Sequence, residues 1–279
     1  THLTALSASE GEILWQSEFF DDLFRLSDRS ADQWDEPDLA MMRRGLELRL
    51  WNNPTYGTIS SDGKQVYGVE GLGFSEVPLS QQLVVADDGS RRLDPGMLKT
   101  YNQLVAHDLV TGKVRWELGG AIGSGRELEG VFFLGPPLPF GGRLFVIGRR
   151  RGYVSLLELD SASGKLIWEK TLAICETLPV ISQQPGIPPI WGVLSETWRC
   201  GGSPSYSQGV LVCPLSDRSI AAVDLTSQSM LWIYQQQSTE GAYGSRMAQL
   251  RLMAIQSNVQ GLTTTWADNS VTISDGRVL

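Results

Sequence analysis

The sequence is poor in the side chains that most metal and redox sites need, with three cysteines and two histidines among 279 residues. The cysteines, Cys175, Cys200 and Cys213, form neither a C-x-x-C nor a C-x-x-C-H motif. This excludes a zinc ribbon, thioredoxin chemistry and the attachment of a c-type haem. The two isolated histidines, His2 and His107, indicate neither a metal site nor a catalytic triad.

Long apolar runs and an excess of positive charge are also missing. No stretch stays apolar over the roughly 18 residues that a membrane-spanning helix needs, and the formal net charge is −8. Because nucleic acids and anionic membranes bind basic surfaces, the composition argues against both kinds of partner. The one basic cluster, Arg149, Arg150 and Arg151, lies between Gly148 and Gly152. We expect it to form a solvated hairpin turn.

The sequence does contain a repeat that ends in tryptophan. Four segments share its register: ALSASEGEILW (5–15), AHDLVTGKVRW (106–116), ELDSASGKLIW (158–168) and AVDLTSQSMLW (222–232). In three of them an aspartate stands eight residues before the tryptophan: Asp108 before Trp116, Asp160 before Trp168 and Asp224 before Trp232. In three a glycine stands four residues before it: Gly11 before Trp15, Gly112 before Trp116 and Gly164 before Trp168. Ser7 and Gln228 fill the two remaining places.

This spacing predicts a β-hairpin. The short aspartate carboxylate can accept backbone N–H groups in the turn, and glycine supplies the positive φ that the turn requires. A short strand follows and presents the indole. Upstream of three copies, residues 60–69, 139–148 and 205–214 each read as a strand, a glycine turn and a second strand. Each unit therefore has four antiparallel strands, and the fold class is all-β, a β-propeller built of such blades.

We expect residues 1–279 to form a single β-propeller domain or part of one. Its predicted parts are a half-blade (1–17), a helical insertion (18–54), a blade (55–118) with an insertion (74–101), a blade (129–170), a long connection (171–200), a blade (201–234) and a half-blade (270–279). The two half-blades could pair and close a four-bladed ring. We favour an incomplete propeller, a fragment of a larger one, because the last strand ends without a cap and no initiator methionine is present.

The motif A-x-D-x-x-T-G-K-x-x-W at 106–116 resembles the pyrroloquinoline-quinone-type propeller repeat of quinoprotein dehydrogenases and their non-enzymatic relatives. In that family the indole stacks over the glycine turn of a neighbouring blade. The resemblance implies structural roles for the four repeat tryptophans, Trp15, Trp116, Trp168 and Trp232. It implies the same for the turn residues Gly11, Asp108, Gly112, Asp160, Gly164 and Asp224.

The resemblance to dehydrogenases does not extend to their active site. Many of those enzymes use two adjacent cysteines and a calcium ion held by carboxylate and amide groups, and this sequence has no adjacent cysteines. Its scattered carboxylates, at 21–22, 35–38 and 87–88, lack calcium-loop spacing. The glycine-rich segment 120–125 has no strand-to-helix context for a phosphate site. We therefore assign no catalytic, cofactor-binding or metal-binding residue and expect no cofactor.

The non-enzymatic relatives include the propeller subunit of the bacterial outer-membrane assembly machine, which binds protein partners. The resemblance thus favours a scaffold of the periplasm or cell envelope with an unidentified protein partner. A quinone-dependent dehydrogenase of alcohols or sugars stays open as the alternative. Exposed tryptophans are frequent binding hot spots, and the candidates are Trp34, Trp51, Trp191 and Trp198. We expect three free thiols, although a disulfide between Cys200 and Cys213 in an oxidising compartment is the alternative.

Overall fold

A computed structural model describes residues 3–17, 58–71, 101–174, 202–215, 219–235 and 271–279, and the backbone of 83–85 and 91–93. This part of the chain is all-β and contains no helix. The predicted helical insertion (18–54), most of the connection 171–200, and Trp34, Trp51, Trp191 and Trp198 lie outside the described residues.

The strands form hairpins and four-stranded meanders. The first hairpin is β1 (Thr4–Leu6) and β2 (Ile13–Gln16). Blade A has β3 (Ile59–Ser61), β4 (Gln65–Glu70), then a separate hairpin of β5 (Leu83–Val85) and β6 (Arg91–Leu93), then β7 (Gln103–Asp108) and β8 (Val114–Gly119). Blade B has the short β9 (Phe132–Phe133), then β10 (Leu138–Phe140), β11 (Arg143–Arg150), β12 (Tyr153–Asp160) and β13 (Leu166–Ile174). Blade C has β14 (Ser205–Ser207), β15 (Val210–Leu215), β16 (Ser219–Asp224) and β17 (Ser229–Gln235). The last hairpin is β18 (Ile273–Ser274) and β19 (Arg277–Val278).

Each blade is an antiparallel sheet in chain order. The sheet orders are β3-β4-β7-β8, β10-β11-β12-β13 (with β9 added beside β11) and β14-β15-β16-β17. All three blades share one register between the second and third strands, in which the repeat aspartate faces the first residue of the second strand. The pairs are Gln65 with Asp108, Arg143 with Asp160 and Val210 with Asp224. The predicted β-propeller of four-stranded antiparallel blades is therefore confirmed.

The turns are tight because the sequence supplies residues that tolerate positive φ. The arginine cluster forms such a turn: Arg151 and Gly152, at φ 51° and 84°, join β11 to β12. Two successive positive φ values define the type I′ hairpin, whose twist matches that of the strands. The same geometry joins β14 to β15 through Gln208 and Gly209.

Apolar cores lie between successive sheets. Tyr67 and Leu104 of blade A pack with Leu144 and Val146 of blade B. A second core joins blades B and C, and a third joins blade C to the last hairpin through Val212, Ala222 and Val271. The sheets thus stack face to face in chain order, as blades do in a propeller.

Because neighbouring strands run in opposite directions, the connections between them lie at two opposite ends of the sheets. The turn face holds the short turns at 7–12, 62–64, 109–113, 141–142, 161–165, 208–209, 225–228 and 275–276. The opposite end, the connection face, is where 17–58, 71–102, 120–137, 175–204 and 236–272 enter and leave. Every long segment between described blade strands therefore leaves from one end.

The propeller is incomplete in the described part of the chain. The first and last hairpins are separate two-stranded sheets, and neither is hydrogen-bonded to the other. They do not close a four-bladed ring. Strand β13 runs to Ile174, four residues past the predicted end of its blade at 170. The predicted domain boundaries as a set stay predictions.

Candidate functional site

The repeat aspartates organise the turns between the third and fourth strands. In blade A, Asp108 Oδ1 accepts hydrogen bonds from the backbone N–H of Thr111 at 2.8 Å and from its hydroxyl at 2.8 Å. The other carboxylate oxygen accepts from Arg115. The Arg115 guanidinium, followed by the Thr111 hydroxyl, holds the pKa of Asp108 well below its usual range. This carboxylate is therefore an ionised turn anchor.

The other blades use the same arrangement with serine in place of threonine. Asp160 accepts from the Ser163 hydroxyl at 2.6 Å and backbone N–H at 2.9 Å, which lower the pKa of Asp160. Asp224 accepts from the Ser227 backbone N–H at 2.7 Å and hydroxyl at 2.8 Å, which lower the pKa of Asp224. In the first hairpin Ser7 Oγ accepts from Glu10 N at 3.3 Å. Each repeat carboxylate is thus occupied by its own turn.

Trp116 of blade A lies over the turn of blade B. A Cβ added at Gly164 would come within 2.8 Å of the indole, so only glycine permits this approach. Gly164 also has φ +73°, which glycine adopts without strain. The indole N–H donates to the Ser161 carbonyl at 3.0 Å. We call this arrangement an inter-blade clasp: an indole over the glycine, with Nε1 bonded to the carbonyl one residue after the aspartate.

Trp15 of the first hairpin makes the same clasp on blade A. A Cβ at Gly112 would lie 2.5 Å from the indole, and Nε1 donates to the Leu109 carbonyl at 3.0 Å. Gly112 has φ +70°, close to that of Gly164. The clasp therefore recurs with one geometry, in which each tryptophan reaches the blade that follows it.

Trp168 and Trp232 depart from this geometry. Trp168 packs against the core between blades B and C. Within the described residues its indole N–H has no hydrogen-bond partner, and the blade C turn has Gln228, at φ 54°, where glycine stands elsewhere. Gln228 carries the Cβ that the other clasps exclude. Trp232 is 40% exposed.

A buried ion pair lies beneath the Gly112 turn. His107 is fully buried; its Nε2 is 2.9 Å from Glu70 Oε1 and its Nδ1 is 3.1 Å from the Gly112 carbonyl. Burial lowers the pKa of His107, but hydrogen bonds to Glu70 and Gly112 outweigh it and raise the pKa above its ordinary value. Since both ring nitrogens face acceptors, the imidazolium satisfies both contacts. Glu70 Oε2 is buried without a partner in the described region.

Asn102 joins blades A and B from a buried position. Its side chain donates to the Phe133 carbonyl at 2.8 Å and accepts from the Phe133 N–H at 2.7 Å. These two hydrogen bonds take the place of those that a neighbouring strand would make with the Phe133 backbone in β9. Neither Asn102 nor Glu70 stands out in the sequence. Each is a polar residue next to an apolar stretch of β-strand, and many exposed residues have the same sequence surroundings.

A cavity of about 250 Å³ opens on the connection face beside the arginine turn. Arg150, Arg151, Tyr153 and Thr171 are among the polar residues that line it. Glu169 Oε2 lies 3.6 Å from Arg150 Nη2, so one of the two guanidinium groups is partly neutralised. The described surface of an otherwise acidic chain therefore offers cationic donors at this end.

The described residues do not fit a quinone site with a calcium ion. They contain no group of three or more His, Cys, Asp or Glu side chains arranged to hold a metal. The three repeat aspartates are committed to their turns, and Cys213 is a buried free thiol. Burial raises the pKa of that thiol to about 12, so it is unreactive at neutral pH. Cys175 and Cys200 lie outside the described residues, as do the carboxylates at 21–22, 35–38 and 87–88.

None of the described elements is a helix that could cross a bilayer.

No curated protein sequence matches the chain. BamB from Moraxella catarrhalis is a similar solved structure, at 14% identity and a TM-score of 0.41, covering 85% of this chain and 48% of that one. A europium-containing methanol dehydrogenase has 14% identity and a TM-score of 0.41, with 84% and 38% covered. The quinohemoprotein alcohol dehydrogenase from Comamonas testosteroni has 14% identity and a TM-score of 0.38, with 84% and 32% covered. The chain thus spans less than half the length of these structures.

Residues 100–278, more than half of the chain, match the family model described as outer membrane protein assembly factor BamB. The matched region contains the turns of Asp108, Asp160 and Asp224 and the indoles of Trp116, Trp168 and Trp232. The chain therefore belongs to this family of β-propellers with pyrroloquinoline-quinone-type repeats.

Proposed function

We propose that the chain is a non-catalytic propeller scaffold that binds a protein partner through its connection face. The main support is how the described strands are connected: every long segment between them starts and ends at one end of the sheets, whereas only short turns join the described strands at the other end. Binding residues in repeat folds concentrate on variable loops that a rigid scaffold positions. The BamB family model, whose description is that of an assembly factor, supports the same class of function.

The turn face is poorly suited to a partner-specific role because its groups are already engaged. Asp108, Asp160 and Asp224 bond their own turns, and two of the turns are covered by Trp15 and Trp116. The connection face instead offers the Arg150 and Arg151 guanidinium groups beside an open cavity. Arginine at such a position pairs with carboxylates and is frequent in protein interfaces.

Site-specific photo-cross-linking distinguishes the two faces. A photoreactive residue at Arg151, on the connection face, is expected to give discrete adducts with a protein of the native host. One at Lys113 on the turn face, as the matched exposed cationic control, is expected to give none. A photoreactive residue placed at Tyr153 should give less adduct when Arg150 and Arg151 are both replaced with glutamate. Equal adducts from both faces, or adducts from Lys113 alone, would contradict the proposal.

The placement of this scaffold in the periplasm or cell envelope rests on the family alone and is part of the proposal. Fractionation of the native host should recover the chain with the envelope or periplasmic fraction. Recovery in the cytoplasm would contradict the placement without affecting the fold.

The dehydrogenase alternative has a direct thermal test. We expect pyrroloquinoline quinone with Ca²⁺ to leave the melting temperature unchanged, because the described residues provide no metal-holding group. A ligand present at about 100 times its dissociation constant would stabilise the folded state by about 2.7 kcal/mol, an easily measured shift. Stoichiometric uptake of the quinone, or dye-linked oxidation of alcohols or sugars, would establish the alternative.

A further inference from the structure

The second and third strands of blade B extend further at the connection face than their counterparts in blades A and C. Strands β11 and β12 have eight residues each. The second and third strands of the neighbouring blades have six each, although all three blades share one register at the repeat aspartate. The extension adds about 7 Å to the hairpin. It contains Arg150 and Tyr153, which face each other beside the turn and line the cavity there.

The cavity itself follows from a row of small side chains next to this extension. Gly148 of β11 faces Ser155 of β12, which in turn faces Thr171 of β13. Gly148 has no side chain and Ser155 has a short one, so the row leaves space between rows of longer side chains. A Cβ added at Gly148 would lie 2.7 Å from Val131 Cγ1. Glycine therefore allows the connection between blades A and B to approach the sheet and line the cavity.

The size of the cavity fits a single side chain better than a cofactor. Its volume of about 250 Å³ lies below the range of about 300–1,000 Å³ that is usual for pockets enclosing small-molecule ligands. The apolar residues Val131 and Leu157 line it together with the polar residues Ser155 and Thr171. A side chain with methylene groups and a polar end therefore matches both the volume and the lining.

The charged residues that line the cavity favour an occupant with one negative charge. Two guanidinium groups, of Arg150 and Arg151, and one carboxylate, of Glu169, line it, so their formal charges sum to a single positive charge. A carboxylate balances that charge, whereas a phosphate dianion would exceed it and would be repelled by Glu169. Arginine also binds carboxylates through two parallel hydrogen bonds. The cavity therefore suits the side chain of a glutamate or aspartate.

Arg150 is the residue best placed to receive that carboxylate. It lies on strand β11, where its backbone is paired with Tyr153 of β12, whereas Arg151 lies in the turn. Glu169 Oε2 is 3.6 Å from Arg150 Nη2, which is longer than a hydrogen bond. Glu169 thus attracts the guanidinium without bonding it, and the five N–H donors of an arginine leave several for a second acceptor.

We propose that the cavity receives the carboxylate of a glutamate or aspartate that the protein partner presents at the connection face. The carboxylate bonds the Arg150 guanidinium, Arg151 adds a second positive charge, and the methylene groups of the acidic side chain lie against Val131 and Leu157. The source of the carboxylate rests on the proposed function. The selectivity of the cavity for a carboxylate does not, and it can be measured without a partner.

Binding of a single amino-acid analogue tests this selectivity. The probe is N-acetylglutamate amide, its uncharged match is N-acetylglutamine amide, and the backbone N–H resonances of Gly152 and Ser155 are followed by NMR at low ionic strength. We expect saturable shifts with the glutamate probe only. Arg150→Gln should weaken its binding at least about tenfold, the usual effect of losing a hydrogen bond to a charged group. Equal shifts from both probes, no shifts, or tighter binding of inorganic phosphate would overturn the proposal.

Two further variants fix the sign of the electrostatic effect. Glu169→Gln removes the opposing charge and should tighten the binding of the glutamate probe. Lys113→Gln makes the same change of charge as Arg150→Gln but on the turn face, and it should leave the binding unchanged. A cavity that binds cations would give opposite signs for Arg150→Gln and Glu169→Gln, and equal effects of Arg150→Gln and Lys113→Gln would show that only the net charge of the protein matters. Either result would overturn the proposal.

Photo-cross-linking from Ile174 tests whether the carboxylate comes from the partner. Ile174 ends β13 at the connection face, is 66% exposed and does not line the cavity. With an extract of the native host, Arg150→Gln should reduce the adduct at least about tenfold, and excess glutamate probe should compete with it. An adduct that is insensitive to both would overturn the docked carboxylate and leave the proposed function in place. Binding of the probe without any adduct would overturn the proposed function and assign the cavity to a free carboxylate.

Discussion

Trp116→Ala is expected to lower the free energy of unfolding by about 3–5 kcal/mol, the usual cost of removing a large packed aromatic. The indole lies against Gly164 of blade B, its N–H bonds the Ser161 carbonyl, and its ring centroid is 5.8 Å from that of Tyr67. The substitution removes all three contacts at the junction of two blades. Denaturant unfolding of the variant and the parent chain measures the difference.

A double-mutant cycle separates the clasp from general loss of packing. Gly164→Ala places a methyl group about 2.8 Å from the indole and should be strongly destabilising in the parent chain. In the Trp116→Ala background the clash is absent, so only the strain of φ +73° remains. Gly63→Ala, with nothing within 4 Å, gives the cost of strain alone. Equal costs of Gly164→Ala in both backgrounds would show that the indole and the turn are not coupled.

Trp116→Phe isolates the hydrogen bond. The ring contact with the Gly164 turn is largely kept, while the donor to the Ser161 carbonyl is lost. The expected cost is about 1 kcal/mol, typical of one hydrogen bond. A cost equal to that of the alanine variant would assign the stabilisation to the donor instead of the ring.

The turns could be read from the sequence because their chemistry is local. Asp108, Thr111 and Gly112 lie within five positions, and the contacts that fix the turn join these residues to one another. The same holds for Asp160 and its serine. The spacing of aspartate, glycine and tryptophan therefore predicts the hairpin, and the recurrence of that spacing along the chain predicts the four-stranded blade.

Contacts between distant segments could not be read in this way. Glu70 of β4 pairs with His107 of β7, although a long segment separates these two strands in the sequence. Asn102 forms hydrogen bonds with Phe133 in the next blade. Which side of a strand a polar residue faces depends on the register, which only the folded sheet provides. Gln228 is an example in which only the local feature is predictable. Its position in the repeat predicts a positive φ, which it has, but does not predict that Trp168 packs differently from Trp15 and Trp116.

The buried His107–Glu70 pair is expected to give the second large effect. His107→Leu leaves the Glu70 carboxylate buried beside an apolar side chain, and breaking such a pair typically costs about 3–5 kcal/mol. It also leaves the Gly112 carbonyl without its donor, directly under the Trp15 clasp. The double variant His107→Leu with Glu70→Leu should recover much of this loss, because no unpaired charge remains.

The pH dependence of that effect follows from the raised pKa of His107. Burial alone would lower this pKa, and the Glu70 carboxylate and the Gly112 carbonyl, together with the nearby Glu117, reverse the direction. A histidine whose pKa is higher in the folded than in the unfolded chain stabilises the fold fully below its unfolded value of about 6.5. That contribution is lost as pH rises through the folded-state pKa. The difference in unfolding free energy between the parent chain and His107→Gln should therefore be greatest near pH 6 and shrink in alkaline solution. A difference that is constant with pH, or that grows with it, would show that the buried ring is neutral in the folded protein.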